Sequence, residues 1–107
     1  MTYQIVLSAL ADDRRRLIFD SLRNAPKAVG ELSEFHPVSR PAVSQHLKVL
    51  EGAGLVSARQ SGTRRIYSVR REGLKPLQDY LESFWDDVLG SYAEFANNQS
   101  GGRNHND

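Results

Sequence analysis

Cysteine is absent from the chain, and this excludes disulfides, thiol redox sensing, a thiolate nucleophile and thiolate metal ligation. Histidine is scarce. His36, His46 and His105 are the whole set, and no two stand at the i, i+4 spacing of a helical zinc site. Long apolar runs are missing as well: none approaches the roughly 18–20 residues that cross a bilayer. The N-terminus shows no basic region followed by an apolar stretch and a cleavage site. No membrane partner is expected, and the expected location is the cytoplasm. Neither a Gly-x-Ser-x-Gly elbow nor a phosphate-cradling glycine loop occurs. Asp86 and Asp87, with Glu82 and Glu94, do not form a carboxylate site, because sequence neighbours on a helix point about 100° apart. A solvated acidic face, or ion pairing across a dimer, is the expectation for them. With no convergent acid, base or nucleophile, an enzyme is not expected, and neither is a metal or any other cofactor.

Net charge is also nearly absent, at a formal +1 over 107 residues, but that sum conceals a lopsided distribution. Between His36 and Arg71 stand Arg40, Lys48, Arg59, Arg64, Arg65, Arg70 and Arg71, opposed only by Glu51. From Glu72 to Glu94 the balance reverses, with Asp79, Glu82, Asp86, Asp87 and Glu94 facing only Lys75. One stretch therefore suits a polyphosphate and the next does not, the footprint of an oriented DNA binder.

The chain length fits one folded unit. Tyr3 to Leu10 predicts a first helix, apolar on most sides and so covered by something else. Asp12 is an N-cap for a second helix in which Leu17, Ile18 and Leu22 recur, closed by Asn24-Ala25-Pro26. A third helix fits Ala28 to Phe35, with Val29, Leu32 and Phe35 at i, i+3 and i+6, and Pro37 ends it. Ser39 is the expected N-cap of a fourth helix with Pro41 in its first turn; Val43, Leu47 and Leu50 form an inward stripe, and Gly52 and Gly54 stop it. Leu55 to Gln60 and Arg64 to Arg70 predict two strands around Ser61-Gly62-Thr63, with Arg65, Tyr67 and Val69 alternating against Arg64, Ile66 and Ser68. Gly73 opens a long last helix carrying Leu74, Leu77, Leu81, Phe84, Val88 and Leu89. Tyr80, Trp85, Tyr92 and Phe95 widen its stripe beyond what a small domain needs, and the surplus is read as a subunit interface. Residues 1–97 are expected to be the folded domain and 98–107 a disordered tail.

Two helices joined by a tight turn, the second exposing small and hydrogen-bonding side chains, form a unit that fits a major groove. The exposed set on the reading helix is Ser39, Arg40, Pro41, Ala42, Ser44, Gln45 and Lys48. Arg40 can donate twice to guanine, Gln45 can pair with adenine, and Pro41 or Ala42 can touch a thymine methyl, while Ser39, Ser44 and Lys48 suit phosphates. The hairpin, with Arg59, Ser61, Thr63, Arg64 and Arg65, makes a basic finger for the backbone or the adjacent minor groove. His46 lies within the reading helix and is assigned a structural, buttressing role.

Ala9-Leu10-Ala11-Asp12 with Arg15-Arg16, Glu31-Leu32, the run from Pro37 through Leu50, Ala53-Gly54-Leu55-Val56 and Arg65-Ile66-Tyr67 together resemble the ArsR/SmtB-type winged-helix repressors. The resemblance extends to Phe84-Trp85-Asp86 and covers Ile5 to Ala96. It implies a mainly α winged helix-turn-helix with a small β-hairpin: four helices, two strands, then a fifth helix. It also implies dimerisation through the first and last helices, with Tyr3, Val6, Leu7, Leu10, Phe84, Trp85, Val88, Leu89, Tyr92 and Phe95 as interface residues. Metal-sensing relatives carry a Cys pair in the third helix, where Ser33 and Phe35 stand here; others use Asp and His in the last helix, where this chain has no histidine. Asp13 replaces a usual Pro, and His36 a usual apolar residue.

The expected function is a nucleoid-associated, sequence-specific regulator that binds double-stranded DNA, a homodimeric repressor reading a palindromic operator. An unidentified small-molecule inducer is kept as a further partner. The alternative is a winged-helix protein-protein interaction module, which acidic residues in the reading helix would have favoured; none occurs before Glu51.

Overall fold

Val6 and Ala9 set the inner face of the first helix, α1 (Thr2–Ala11), in a computed structural model that describes residues 2–100. α2 (Asp13–Ser21) starts where Asp12, in extended conformation, accepts a hydrogen bond from the Arg15 amide at 2.9 Å. That bond holds the Asp12 carboxyl below its ordinary range. Burial opposes the shift, while the charges of Arg15 and His46 and the Arg14 amide reinforce it. The helix ends at Ser21, before the expected Asn24-Ala25-Pro26 stop, and Leu17 is exposed while Ile18 and Leu22 enter the core.

A short strand not expected from the sequence follows, β1 (Lys27–Ala28), and leads directly into α3 (Val29–Phe35). Glu31 reaches back to accept from the Ala28 amide at 2.8 Å, half of a capping box whose other half Ala28 has no hydroxyl to supply. Leu32 is fully buried, but Phe35 is 73% exposed, which corrects its assignment to the apolar face. Each three-residue step falls about 60° short of a full rotation, so two steps carry Phe35 off the side that Val29 began.

α4 (Arg40–Gly52) begins as expected: the Ser39 hydroxyl accepts from the Ala42 amide at 3.3 Å, and Pro41 occupies the first turn. It ends in a Schellman motif, with the Leu55 amide bonding Leu50 O and the Gly54 amide bonding Glu51 O, each at 3.0 Å. The motif needs a left-handed residue, and Gly54 supplies it at φ +78°. β2 (Val56–Ser61) and β3 (Arg64–Val69) then pair from Val56↔Val69 to Ser61↔Arg64. Ser61 is thus a strand residue and the turn has two members, Gly62 and Thr63, not three. Gly62 at φ +65°, with no positive φ outside glycine among the described residues, is the pattern of a type II′ turn. β1 pairs antiparallel with the far edge of β3, Lys27↔Tyr67 and Ala28↔Ile66, giving the order β1-β3-β2.

Arg71–Leu74 forms a 3-10 turn, and α5 (Lys75–Ser100) starts two residues after the expected opening at Gly73. Gly73 serves contact instead: a side-chain carbon there would collide with the Gly54 carbonyl, so the chain passes close to the α4 terminus only because Gly73 has none. α5 includes residues 98–100, placed in the tail by the sequence reading, while the remainder of that tail, 101–107 with His105, lies outside the described residues. The backbone forms two units, one ending at Leu77 and one beginning at Gln78. The first holds the core, where Val6, Ile18, Leu32, Val43, Leu47, Leu50 and Leu55 are all fully buried. No helix of the described residues is long and apolar enough to cross a membrane.

Candidate nucleic-acid interface

α4 is two-sided in the way its spacing predicts. Val43, Leu47 and Leu50 are fully buried, whereas Ser39, Arg40, Pro41, Ser44, Gln45 and Lys48 are exposed and Ala42 is half-buried. Burial of the three apolar side chains, at roughly 1.5–3 kcal/mol each, fixes the rotation of the helix and so decides which residues face out. His46 lies on neither side. It is half-buried, and among the described residues its Nδ1 is enclosed without a hydrogen-bond partner.

The turn between α3 and α4 is held by a contact the sequence did not announce. His36 Nε2 lies 2.7 Å from Ser21 Oγ, and that hydroxyl also lies 3.0 Å from Leu17 O as a donor. A hydroxyl has one proton, so with Leu17 O receiving it the imidazole must be the donor to Ser21. The residue that departs from the usual apolar one therefore pins the turn to α2 by hydrogen bonding.

On the wing, Arg59, Ser61, Thr63, Arg64 and Arg65 are all exposed. Two of the arginines are not free cations, which modifies the reading of a bare basic finger. Arg64 pairs with Glu31 at 3.0 Å, and Arg65 pairs with Glu51 at 3.8 Å while its Nε donates to the Tyr67 hydroxyl at 3.2 Å. Both ion pairs are about half exposed and are worth at most about 1 kcal/mol each, so they orient the side chains without locking them. Glu31 and Arg64 are 33 residues apart, and no local pattern could have joined them. The capping spacing from Ala28 to Glu31 was the only signal, obscured because Ala28 is not Ser or Thr.

These elements enclose an open groove of about 620 Å³ between α3, the start of α4 and the wing, lined among others by Gly30, Glu31, Arg40, Ser44, Thr63 and Arg64. Arg40 lies back in it against the backbone of Gly30. The surface can offer guanidinium and hydroxyl donors from a helix and a hairpin side by side, which is the chemistry of phosphate and base-edge recognition. Among the described residues no group of three metal-ligating side chains comes together.

The expected interface residues fall into two groups. On α5, Phe84, Trp85, Val88, Leu89, Tyr92 and Phe95 are between 44% and 68% exposed. On α1, Leu7 is exposed and Tyr3 and Leu10 are half-buried, but Val6 is fully enclosed within its own protomer and presents no surface. Val6 is therefore a core residue, and Ile5 takes its place among the exposed apolar residues of α1.

The profile described as "Bacterial regulatory protein, arsR family" matches residues 12–58. The HTH-type transcriptional regulator Rv2034 of Mycobacterium tuberculosis is 50% identical over 91 residues, 85% of this chain and 85% of that protein. The transcriptional repressor SdpR of Bacillus subtilis is 29% identical over 79 residues, 74% of this chain and 88% of its own. Among solved structures, a homodimeric winged helix-turn-helix DNA-binding domain from Mycobacterium bovis is similar with a TM-score of 0.65 at 26% identity, over 99% of this chain and 88% of that one. Half the aligned residues shared across most of both chains, on a helix-turn-helix followed by a β-hairpin, leave one conclusion: the chain belongs to the arsR family of bacterial regulatory proteins, transcriptional regulators with a winged helix-turn-helix and not enzymes.

Proposed function

We propose that the chain is a homodimeric repressor whose two copies of α4 enter successive major grooves of a partly palindromic operator on the nucleoid, obstructing the polymerase. The observation that carries this reading is the division of α4, with Val43, Leu47 and Leu50 fully buried and Arg40, Ser44, Gln45 and Lys48 exposed. Arg40 reads guanine and Gln45 adenine, Pro41 touches a thymine methyl more readily than half-buried Ala42, and Ser39, Ser44 and Lys48 hold phosphates. Arg59, Ser61, Thr63, Arg64 and Arg65 follow the backbone or the neighbouring minor groove. Self-association uses Phe84, Trp85, Val88, Leu89, Tyr92 and Phe95, with Tyr3, Leu7 and Leu10 contributing from α1. A stripe of that size left exposed argues for a second chain to cover it. Release follows displacement or a change in expression, and a small-molecule inducer has no assigned site.

A gel shift of the protein's own promoter region, repeated across a salt titration, tests the reading. Retardation well above that of random duplex, falling steeply with salt, is expected. Equal retardation of both duplexes would remove the operator from the account. No retardation even at low salt would favour the protein-interaction module. Transcription in vitro from the bound promoter should fall; a rise would make the chain an activator.

A further inference from the structure

The first turn of α3 is assigned no contact with DNA, yet two of the arginines that are, Arg40 and Arg64, rest against it. Glu31 Oε1 accepts two hydrogen bonds, from the Ala28 amide at 2.8 Å and from Arg64 at 3.0 Å. Its neighbour Gly30 has the Arg40 guanidinium lying against it, close enough that a side-chain carbon at position 30 would displace the arginine tip. The platform is tied to both the core and the sheet. Leu32 anchors it in the core, and Ala28 is paired with Ile66 on β3, the strand that begins with Arg64.

We propose that Glu31 is a positioning residue for DNA binding: through its shared carboxylate oxygen it orients the Arg64 guanidinium, leaving the other donors of that group turned toward a phosphate. This rests on the DNA-binding reading of the wing. A guanidinium carries five donors in a planar fork, so engaging one N–H with Glu31 leaves an edge for a second anion. The Arg64 side chain is 56% exposed, so the pair with Glu31 leaves much of it accessible. Glu31 stands 48% exposed and its pair with Arg64 is weak, so it does not withhold the arginine from DNA. What it removes is part of the rotamer freedom that binding would otherwise have to remove, an effect bounded by the strength of the pair at about two- to fivefold in affinity. The sign is the discriminating feature. A carboxylate acting only as a charge near DNA would repel phosphate, and its removal would tighten binding. A carboxylate acting as a positioner gives the opposite result.

The test is a double-mutant cycle read by fluorescence anisotropy on a labelled random-sequence duplex at fixed salt. It uses the full chain, Glu31→Ala, Glu31→Gln, Arg64→Ala and both Glu31 variants combined with Arg64→Ala. The expected result is a loss of about two- to fivefold for Glu31→Ala that vanishes in the Arg64→Ala background, because without the arginine there is nothing to position. Glu31→Gln keeps an oxygen for the Ala28 amide and so preserves the cap of α3. Its smaller loss must likewise vanish beside Arg64→Ala, which keeps the test valid if Glu31→Ala folds poorly. A merely structural role predicts losses that persist in the Arg64→Ala background, and that outcome overturns the proposal, as does tighter binding by either Glu31 variant. Failure of the wild-type chain to bind duplex at low salt is a different result, and it overturns the DNA-binding reading itself.

Discussion

α4 and α5 carry apolar stripes of similar period and meet opposite ends. Val43, Leu47 and Leu50 of α4 are fully buried within their own chain, whereas Phe84, Trp85, Val88, Leu89 and Tyr92 of α5 are 44% to 68% exposed. The stripes also differ in width. At about 100° per residue the α4 set occupies a narrow seam, while the α5 set from Tyr80 to Leu89 spreads over about half the circumference. Periodicity thus reports that a face is organised, and width reports how much must come to cover it. α4 has the core of the first unit to cover it, reinforced by the Schellman turn that folds Leu55 back beside Leu50. For α5 the cover we assign is a second copy.

Substitution at matched positions of the two stripes tests this contrast, and the largest effect belongs to α4. Leu47→Ala should destabilise the protomer by about 2–5 kcal/mol in urea unfolding, the usual range for a leucine removed from a closed core. A loss under about 1 kcal/mol would mean that the helix is not seated on its Leu47 side, and its polar side would lose its claim to face outward. Trp85→Ala on α5 should leave the far-ultraviolet circular dichroism spectrum of the protomer intact. It should weaken self-association by about 2–4 kcal/mol, the scale of a tryptophan at the centre of an interface. Sedimentation equilibrium measures it, and an unchanged association constant would show that the α5 stripe is covered by something other than a second copy.

What could be read from the sequence follows the same division between local and distant causes. The caps at Asp12 and Ser39, the glycine stop after α4 and the inward trio of α4 are set by residues within a few positions of one another, and the structure has them where the spacing put them. β1 escaped notice because two residues, Lys27 and Ala28, carry no period; their pairing with Tyr67 and Ile66 defines them as a strand. A short apolar helix does not reveal which of its sides is inner, so spacing does not separate Val6 in the core from Ile5 at the surface, and the i, i+3, i+6 series of Val29, Leu32 and Phe35 looks like one face although its last member has drifted off it. At the candidate interface, exposure of the α4 side chains was legible and the Glu31–Arg64 and Glu51–Arg65 pairs were not, since ion pairs between distant segments have no sequence signature.

A smaller effect separates the two surfaces that present arginine. Arg40→Ala should lose about 1–3 kcal/mol on the promoter duplex and little on random duplex, as expected for a base-edge contact. Arg64→Ala should weaken both duplexes alike and reduce the slope of log affinity against log salt by about one, as expected for a phosphate contact. Salt titrations of both variants on both duplexes give the four curves needed. Equal losses on the two duplexes for Arg40→Ala would move that residue from base reading to backbone contact, leaving Gln45 as the reader on α4.

The smallest effect contrasts the caps of the two helices, which use different chemistry for the same task. Ser39 has no titrating group, so the start of α4 is indifferent to acid. Asp12 accepts from the Arg15 amide as a carboxylate, and this lowers its pKa in the folded chain. A folded-state value below the unfolded one means that ionised Asp12 favours folding. This contribution is complete above the ordinary aspartate range near about pH 4 and is lost as pH falls through the lowered value. Asp12→Asn keeps a capping oxygen that does not titrate. In thermal melts the wild-type chain should therefore exceed Asp12→Asn at neutral pH by a margin that narrows under acid, while the margin over Ser39→Ala stays level across the same range. Parallel curves for wild type and Asp12→Asn down to the acid limit would show that the Asp12 charge adds nothing beyond the hydrogen bond, and the two caps would then be equivalent.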